Sequence, residues 1–454
     1  MWKKIPLMIV LLFTANALFA EEDNLEQGLF TFAGYTDLTY TDTKDGGNGL
    51  AYKLAPIFLI QPSDRIHIEA EFEFGINDQG DVDAEVEYLD LHYFATDTIT
   101  LTVGKFLLPF AYFGPNLHPS WINKLSTQPA IYGGHHGDGL IEGLLPVMSD
   151  VGLAYQQVVP FSSRHRLYID GYVVNGAGLG PVTDHGHDEA AAHDDDTAHQ
   201  EEDADHDEAL GHEDEVAHEE GSDHDETDAD HDELIDQLQA FTFALPELEF
   251  EGKLHDNNSD KAFGGRIGYA YLPGFEAGYS YYRGAYDDAE KLDFRADAID
   301  LTYNGRYFTL RGEYIRTRTD ALGSPVEAEG DHVDDAAHDD EVAHDEDADH
   351  AVEAEHAEEE ADHAIAFPTT TFERDGWYVQ ANWQLRSFDS PLLNPVELVV
   401  RHSQVNQIAD AKRWTLGVNY WWKPSSVFKL SFDTTELASG EKINRVLAQF
   451  SHGF

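Results

Sequence analysis

The feature that most constrains this chain is a side-chain period of two, held over segments longer than ordinary strands. Ile66, Ile68, Ala70, Phe72, Phe74 and Ile76 share one parity, and His67, Glu69, Glu71 and Glu73 the other. Trp377, Val379, Ala381, Trp383 and Leu385 oppose Tyr378, Gln380, Asn382 and Gln384, and Trp414, Leu416, Val418, Tyr420 and Trp422 oppose Thr415, Gly417 and Asn419. Successive side chains of a strand point to opposite faces, so each segment has one greasy and one polar face. Length then separates two classes of sheet. A tilted membrane-spanning strand needs about 9–11 residues, whereas a globular strand has about 5–6. Sixteen long segments can be drawn: 27–40, 49–61, 64–77, 82–96, 98–106, 150–160, 164–177, 260–272, 276–286, 292–304, 306–319, 368–385, 393–405, 411–422, 426–437 and 441–454. The phase blurs in 49–61, 82–96 and 292–304, where bulges are expected.

The connections sharpen the argument. One set is short: Pro62-Ser63, Asp97, Ser162-Ser163, Pro273-Gly274, Asn304-Gly305 and Lys423-Pro424. The interleaved set holds every long insertion, 107–149, 178–259 and 320–367. Short turns on one side and long loops on the other characterise an outer-membrane barrel. The expected fold is therefore all-β: a transmembrane antiparallel β-barrel of about 16 strands, with short periplasmic turns and long extracellular loops. A soluble sandwich accounts neither for the strand length nor for the sided loops. The loop 107–149 holds five prolines and so cannot be regular strand. Trp121, Ile122 and Leu125 suggest a short helical turn packed inward, where the loop would narrow a pore.

Residues 1–20 read as a signal peptide: Lys3 and Lys4, an apolar stretch over 5–13, then small residues up to Ala20. The barrel would occupy 21–454. The chain ends in Phe454, in phase with Phe450, Ala448 and Val446, like the C-terminal signature that barrel-assembly machinery recognises. A net charge of −59 excludes most nucleic-acid partners, and the absence of Cys excludes disulfides and thiolate metal sites. No nucleophile–base pair stands out, so an enzyme is not expected.

The stretch Val103-Gly104-Lys105-Phe106-Leu107-Leu108-Pro109-Phe110 resembles the GKxxxPF element of several gram-negative porin families. There it ends a strand and opens a loop that folds into the pore. The resemblance is to the phosphate-selective porin O/P-like group and, more loosely, to siderophore porins. It implies a porin-like barrel of the gram-negative outer membrane, embedded in its lipid, with a homotrimer as one state open to it. It does not carry the substrate over. An anion-selective member should line its pore with Arg and Lys, whereas the polar faces here show Glu69, Glu71, Glu73, Glu85, Glu87 and Glu397, against basic groups such as Arg311 and Arg401. These eight are the expected pore-lining residues.

The charge is concentrated in two insertions. Residues 181–240 contain 25 Asp+Glu and 9 His, residues 320–367 contain 19 Asp+Glu and 6 His, and neither holds a Lys or Arg. Histidines recur every six or seven residues at His187, His193, His199, His206, His212, His218, His224 and His231, and again at His332, His338, His344, His350 and His356. Six residues span roughly 20 Å when extended, so the repeat builds no preformed cage. Each unit offers one imidazole beside carboxylates, an incomplete set suited to labile Zn²⁺ or a similar divalent cation. No tightly bound cofactor is expected. His135, His136 and Asp138, in a glycine-rich stretch of the loop 107–149, are further candidate metal contacts. The inert alternative is a solvated acidic brush.

The function expected from the sequence is a porin for passive uptake of small solutes, divalent metal captured by the acidic loops among them. The competing expectations are a receptor for a metal chelate or siderophore, and a surface metal buffer.

Overall fold

A computed structural model describes residues 29–133, 140–180, 241–250, 258–325, 367–406 and 410–454. Sixteen antiparallel strands close into one barrel. In chain order they are β1 (Phe30–Thr43), β2 (Asn48–Ser63), β3 (Ile66–Ile76), β4 (Val82–Thr96), β5 (Ile99–Leu107), β6 (Ser149–Pro160), β7 (His165–Val174) and β8 (Ala262–Tyr271). There follow β9 (Phe275–Ala285), β10 (Asp293–Asn304), β11 (Phe308–Leu322), β12 (Thr369–Gln384), β13 (Val396–Asn406), β14 (Ala411–Lys423), β15 (Ser426–Leu437) and β16 (Lys442–Gly453). Each strand pairs with its sequence neighbours, and β1 pairs with β16 from Tyr35↔Gly453 to Thr43↔Arg445. Gly34 and Phe454 complete the seam with reciprocal N–H···O bonds of 3.0 and 2.9 Å.

All sixteen segments expected from the alternation are strands. Closure leaves no open edge, so every ladder group has a partner inside the sheet, as a hydrocarbon surrounding demands. The outward parity is apolar and exposed: Trp414, Leu416, Tyr420, Trp422, Phe428, Leu430 and Phe432 on adjoining strands, with Tyr279, Ile299 and Leu301 farther round. The inward parity is polar and covered, as at Gln380, Asn382, Thr415, Asn419, Ser431 and Thr435. This is a transmembrane β-barrel of the outer-membrane type.

The bulge expectation holds for 82–96, where two residues of β4 face one of β3: Glu71 pairs with Tyr88 and Phe72 with Val86, leaving Glu87 as the extra residue. It fails for 292–304, whose ladders run unbroken. There the parity is regular but the residues are atypical: Phe294, Ala296 and Ala298 are small or apolar yet face inward against the packed loop, while Arg295 and Asp297 face outward. In 49–61 the register is constant from Tyr52↔Ile76 to Ile60↔Ile68 and shifts only at the turn. The blur comes from the run Leu54-Ala55-Pro56-Ile57-Phe58-Leu59-Ile60, apolar on both faces.

The loop after β5 holds one short helix, α1 (Phe113–Leu117). The turn expected around Trp121 to Leu125 is a single one, closed by Ile122 and Asn123 N–H on Pro119 O, both at 2.9 Å; bends follow it to Leu125, which is buried as expected. Pro119 removes an N–H donor and stops α1 from extending. Beyond the β7 end, Gly178–Leu179 pairs with Leu248–Glu249. Of the described residues, 241–242 and 323–325 belong to a second unit, in which Phe241–Thr242 pairs with Ser324–Pro325. The signal-peptide segment 1–20 lies outside the described residues.

Gly104, the glycine of the GKxxxPF element, has φ +127°, and a Cβ there would sit 2.4 Å from Leu89 O. Both facts exclude a side chain. G104V should cost about 1–3 kcal/mol. The check is the fraction of heat-modifiable folded barrel on a semi-native gel, which should fall relative to wild type.

Candidate pore lining and constriction

The described residues of the loop, 108–133 and 140–148, lie inside the barrel against the wall made by β9 to β16. Its partners follow one another along that wall. Ala111 N–H donates to Ser280 Oγ of β9 at 2.9 Å. Glu313 of β11 accepts the first N–H groups of α1, from Tyr112 at 3.0 Å and Phe113 at 2.6 Å, and the Tyr132 hydroxyl at 2.6 Å. Arg374 of β12 donates to Glu142 O and Gly143 O, both at 3.0 Å. Arg401 of β13 donates to Thr127 O at 2.7 Å, Thr127 Oγ1 at 3.0 Å and Gln128 O at 2.8 Å. Asn419 of β14 donates to Lys124 O at 2.8 Å. On β15, Lys429 donates to Ser120 O, and the Ser431 hydroxyl lies 3.1 Å from Ser126 Oγ. Apolar contacts fill the spaces between these bonds: Phe113 packs edge-on to Tyr378, and Leu125 lies over Gly417.

The chemistry of that wall explains the docking. A loop with several prolines offers many carbonyl oxygens that no ladder satisfies. Buried carbonyls need donors, and Arg and Lys supply several each without accepting any. So Arg374, Arg401 and Lys429 hold the loop by its backbone. Lys124, on the loop itself, sits 3.7 Å from Glu397 and 4.3 Å from the Trp421 ring centroid. Burial pulls the Lys124 ammonium below its ordinary value, and Glu397 opposes this.

The wall of β1 to β4 has the opposite sign. Glu71, Glu73 and Glu87 gather around the Tyr35 hydroxyl. Tyr35 donates to Glu73 at 3.3 Å, and Lys53 is paired with Glu73. Glu85 lies 3.6 Å from Lys105 Nζ, which donates to Val86 O at 2.6 Å. Lower on the same strands stand Glu69 and Asp90, each beside a histidine: His67 Nε2 at 2.8 Å from Glu69, and His92 Nε2 at 3.0 Å from Asp90.

The residues read as pore-lining thus divide. Glu69, Glu71, Glu73, Glu85 and Glu87 stand on the β3–β4 wall, away from the loop's anchors; Glu69 and Glu85 are part-exposed, whereas Glu71, Glu73 and Glu87 are buried. Arg311 stands on β11, with its Nε buried and without a hydrogen bond. Arg401 and Glu397 require correction. Arg401 is 0% exposed beneath the loop, and Glu397 accepts from Trp421 Nε1 at 3.1 Å while facing Lys124. Both hold the constriction in place and do not line an open passage. Sequence reading had no means to tell a pore-facing Arg from one roofed by a loop. It also passed over Lys53, Asp90 and His92. The metal candidates His135, His136 and Asp138, and all the hexad histidines from His187 to His231 and from His332 to His356, lie outside the described residues.

No family model and no curated protein matches the chain. Among solved structures the chain is similar to OmpT of Vibrio cholerae, at 9% identity and a TM-score of 0.48 over 95% of this chain and 100% of that one. It is also similar to an anion-selective porin from Comamonas acidovorans, at 10% identity and a TM-score of 0.47 over 94% of this chain and 99% of that one. A third is OmpF of Salmonella typhi in complex with daunomycin, at 10% identity and a TM-score of 0.47 over 94% and 97%.

Removing the Arg401 guanidinium takes a donor from Gln128 O and from Thr127 O, which keeps only Asn123 Nδ2 at 3.0 Å. Hydrogen bonds to a charged group contribute about 1.5–3 kcal/mol each and are not additive, so R401A should weaken loop docking by about 3 kcal/mol. The barrel should still form. Limited proteolysis should cut within 108–148 faster than in wild type, and single-channel current should become noisier.

Proposed function

We propose that the chain is an outer-membrane porin for passive passage of small solutes, with a preference for cations that includes divalent metals such as zinc. The observation that carries this reading is the division of charge across the lumen. Three of the basic side chains of the β12 to β16 wall are committed to the carbonyl oxygens of the loop. The β3 to β4 wall, away from the loop's anchors, carries Glu69, Glu71, Glu73, Glu85, Glu87 and Asp90, of which Glu69 and Glu85 are part-exposed and the others buried, against the bases Lys53 and Lys105. A wall with more acids than bases lowers the barrier for a cation and raises it for an anion, most strongly where a constriction removes bulk water.

The hexad loops extend the reading. Their His and carboxylate units supply incomplete ligand sets, which concentrate a divalent cation without holding it. A pore needs the same property: binding favourable enough to enter and weak enough to leave.

The test is the reversal potential of the refolded protein in a planar bilayer under a KCl gradient. The current should be cation-selective. E71Q, E73Q and E87Q, made singly as near-isosteres, should each lower the cation-to-anion permeability ratio by about twofold, or about 0.4 kcal/mol of relative barrier. Anion selectivity, or a barrel that does not conduct, overturns the proposal.

A further inference from the structure

We infer that the inner wall carries an exchangeable binding site for a divalent transition-metal ion near the short-turn rim, formed by Glu69 of β3 with Asp90 and His92 of β4. The inference rests on the channel reading for its purpose, though not for its geometry.

One ligand atom from each of the three lies within 4.8 Å of the other two, and among the described residues this is the group that meets that condition. Three details point to an ion rather than to an incidental cluster. First, the Asp90 side chain is 6% exposed, and its Oδ1 is buried without a hydrogen-bond donor, although His92 Nε2 stands 3.0 Å away. Second, His92 is held by its other nitrogen: Nδ1 lies 2.9 Å from Thr102 Oγ1 on β5. A proton on Nδ1, donated to that hydroxyl, leaves Nε2 with a lone pair facing Asp90, as a ligating imidazole is commonly oriented. Third, His67 stacks on His92 and places its Nε2 2.8 Å from Glu69, fixing the second carboxylate in turn.

The backbone makes this arrangement and no single strand shows it. Glu69 pairs with Asp90 and His67 with His92 across the β3–β4 ladder. The extra residue at Glu87 reverses the parity of β4, so that Glu85 and Glu87 above it and Asp90 and His92 below it all face inward. Opposite Asp90 stands Gly104, where a Cβ would come within 3.3 Å of the Asp90 Cβ. The bare glycine leaves the carboxylate its space.

Two carboxylates and a neutral imidazole carry a charge of −2 and match a divalent ion. The mixed N and O set suits Zn²⁺, Co²⁺ or Cu²⁺ better than Ca²⁺ or Mg²⁺. Three protein ligands leave a coordination position open. Glu69 keeps 32% of its side chain exposed, so that position faces the lumen. An ion passing the glutamates of the upper wall would pause here before the periplasmic mouth.

Copper footprinting on the full-length refolded protein tests this residue by residue. Cu²⁺ with ascorbate in air oxidises imidazoles that bind the metal, and peptide mass spectrometry reads the added oxygen. His92 should be modified well above His402 and His452, which serve as internal controls, and Zn²⁺ should suppress the modification. D90N removes a ligand carboxylate and T102V the orienting hydroxyl, and each should raise the Cu²⁺ concentration needed by about tenfold or more. Oxidation of His92 no greater than of the controls overturns the site, as does oxidation indifferent to both substitutions. Peptides from the hexad loops are read separately, so their own metal binding does not interfere. Conductance of the same preparation reports on the channel: a conducting barrel with His92 unmodified sinks the site alone, and a silent barrel with His92 modified sinks the channel alone.

Discussion

A backbone within hydrocarbon can bond only to itself, and the rest of this molecule follows from that constraint. It forces the sheet to close, which it does between β1 and β16 with Gly34 and Phe454 at the seam. It forces strands long enough to cross at a tilt. It sorts side chains by parity, apolar outward and polar inward, because each residue must serve either lipid or lumen. Closure also creates an interior whose wall is mostly polar, with an apolar cluster where Phe294, Ala296, Ala298 and Ile315 meet the loop. The polar parity is left to be satisfied by water, by ions, or by chain folded back inside.

The folded-back chain is the loop 108–148, and its docking decides what kind of interior remains. Irregular backbone is tolerated at membrane depth only when it is buried in protein or lines a cavity. Here the donors come from the wall: Arg374, Arg401, Lys429 and Asn419 meet loop carbonyls, and Glu313 meets the N–H groups at the start of α1. Basic residues in a pore are ordinarily read as an anion path. In this barrel Arg374, Arg401 and Lys429 are bonded to loop carbonyls, and on the proposed reading the sign of the passage is set by the wall they do not occupy. Structure and selectivity are coupled through one set of side chains. A guanidinium bonded to carbonyl oxygens stays charged, but the loop stands between it and the solute.

What the sequence discloses divides along a physical line. Strand identity rests on local periodicity, so all sixteen strands could be read from alternation, even where a bulge blurred β4. The outward placement of Trp414, Leu416, Val418 and Tyr420 followed from the same parity. Relations across strands were not readable, because a period of two says nothing about register. The Glu69↔Asp90 and His67↔His92 pairs depend on an extra residue at Glu87 that no spacing announces. The role of Arg401 depends on where a distant loop lands, some 270 residues earlier in the chain. The turn near Trp121 stops after one hydrogen-bonded turn on Pro119 O, and its apolar side chains pack on Gly417 and Gly453 of the wall, which no local spacing foretells.

The acidity of the chain therefore has two separate meanings. Some 44 of the 87 acidic residues stand in 181–240 and 320–367, without a single Lys or Arg. Those acids answer to solvent and to whatever cations they attract. The acids of β3 and β4 are few, each is placed by a ladder, and four have a basic or imidazole partner: Lys53 for Glu73, Lys105 for Glu85, His67 for Glu69, His92 for Asp90. Partnering is what lets a carboxylate stand in a constricted lumen without losing its charge by taking up a proton. Toward the short-turn rim the partner changes from lysine to histidine, and that change alters the chemistry. A lysine competes with a passing cation for the carboxylate it holds. An imidazole that is neutral can join the carboxylate in binding one. Along one wall, then, the series runs from side chains that attract a cation to side chains able to ligate it.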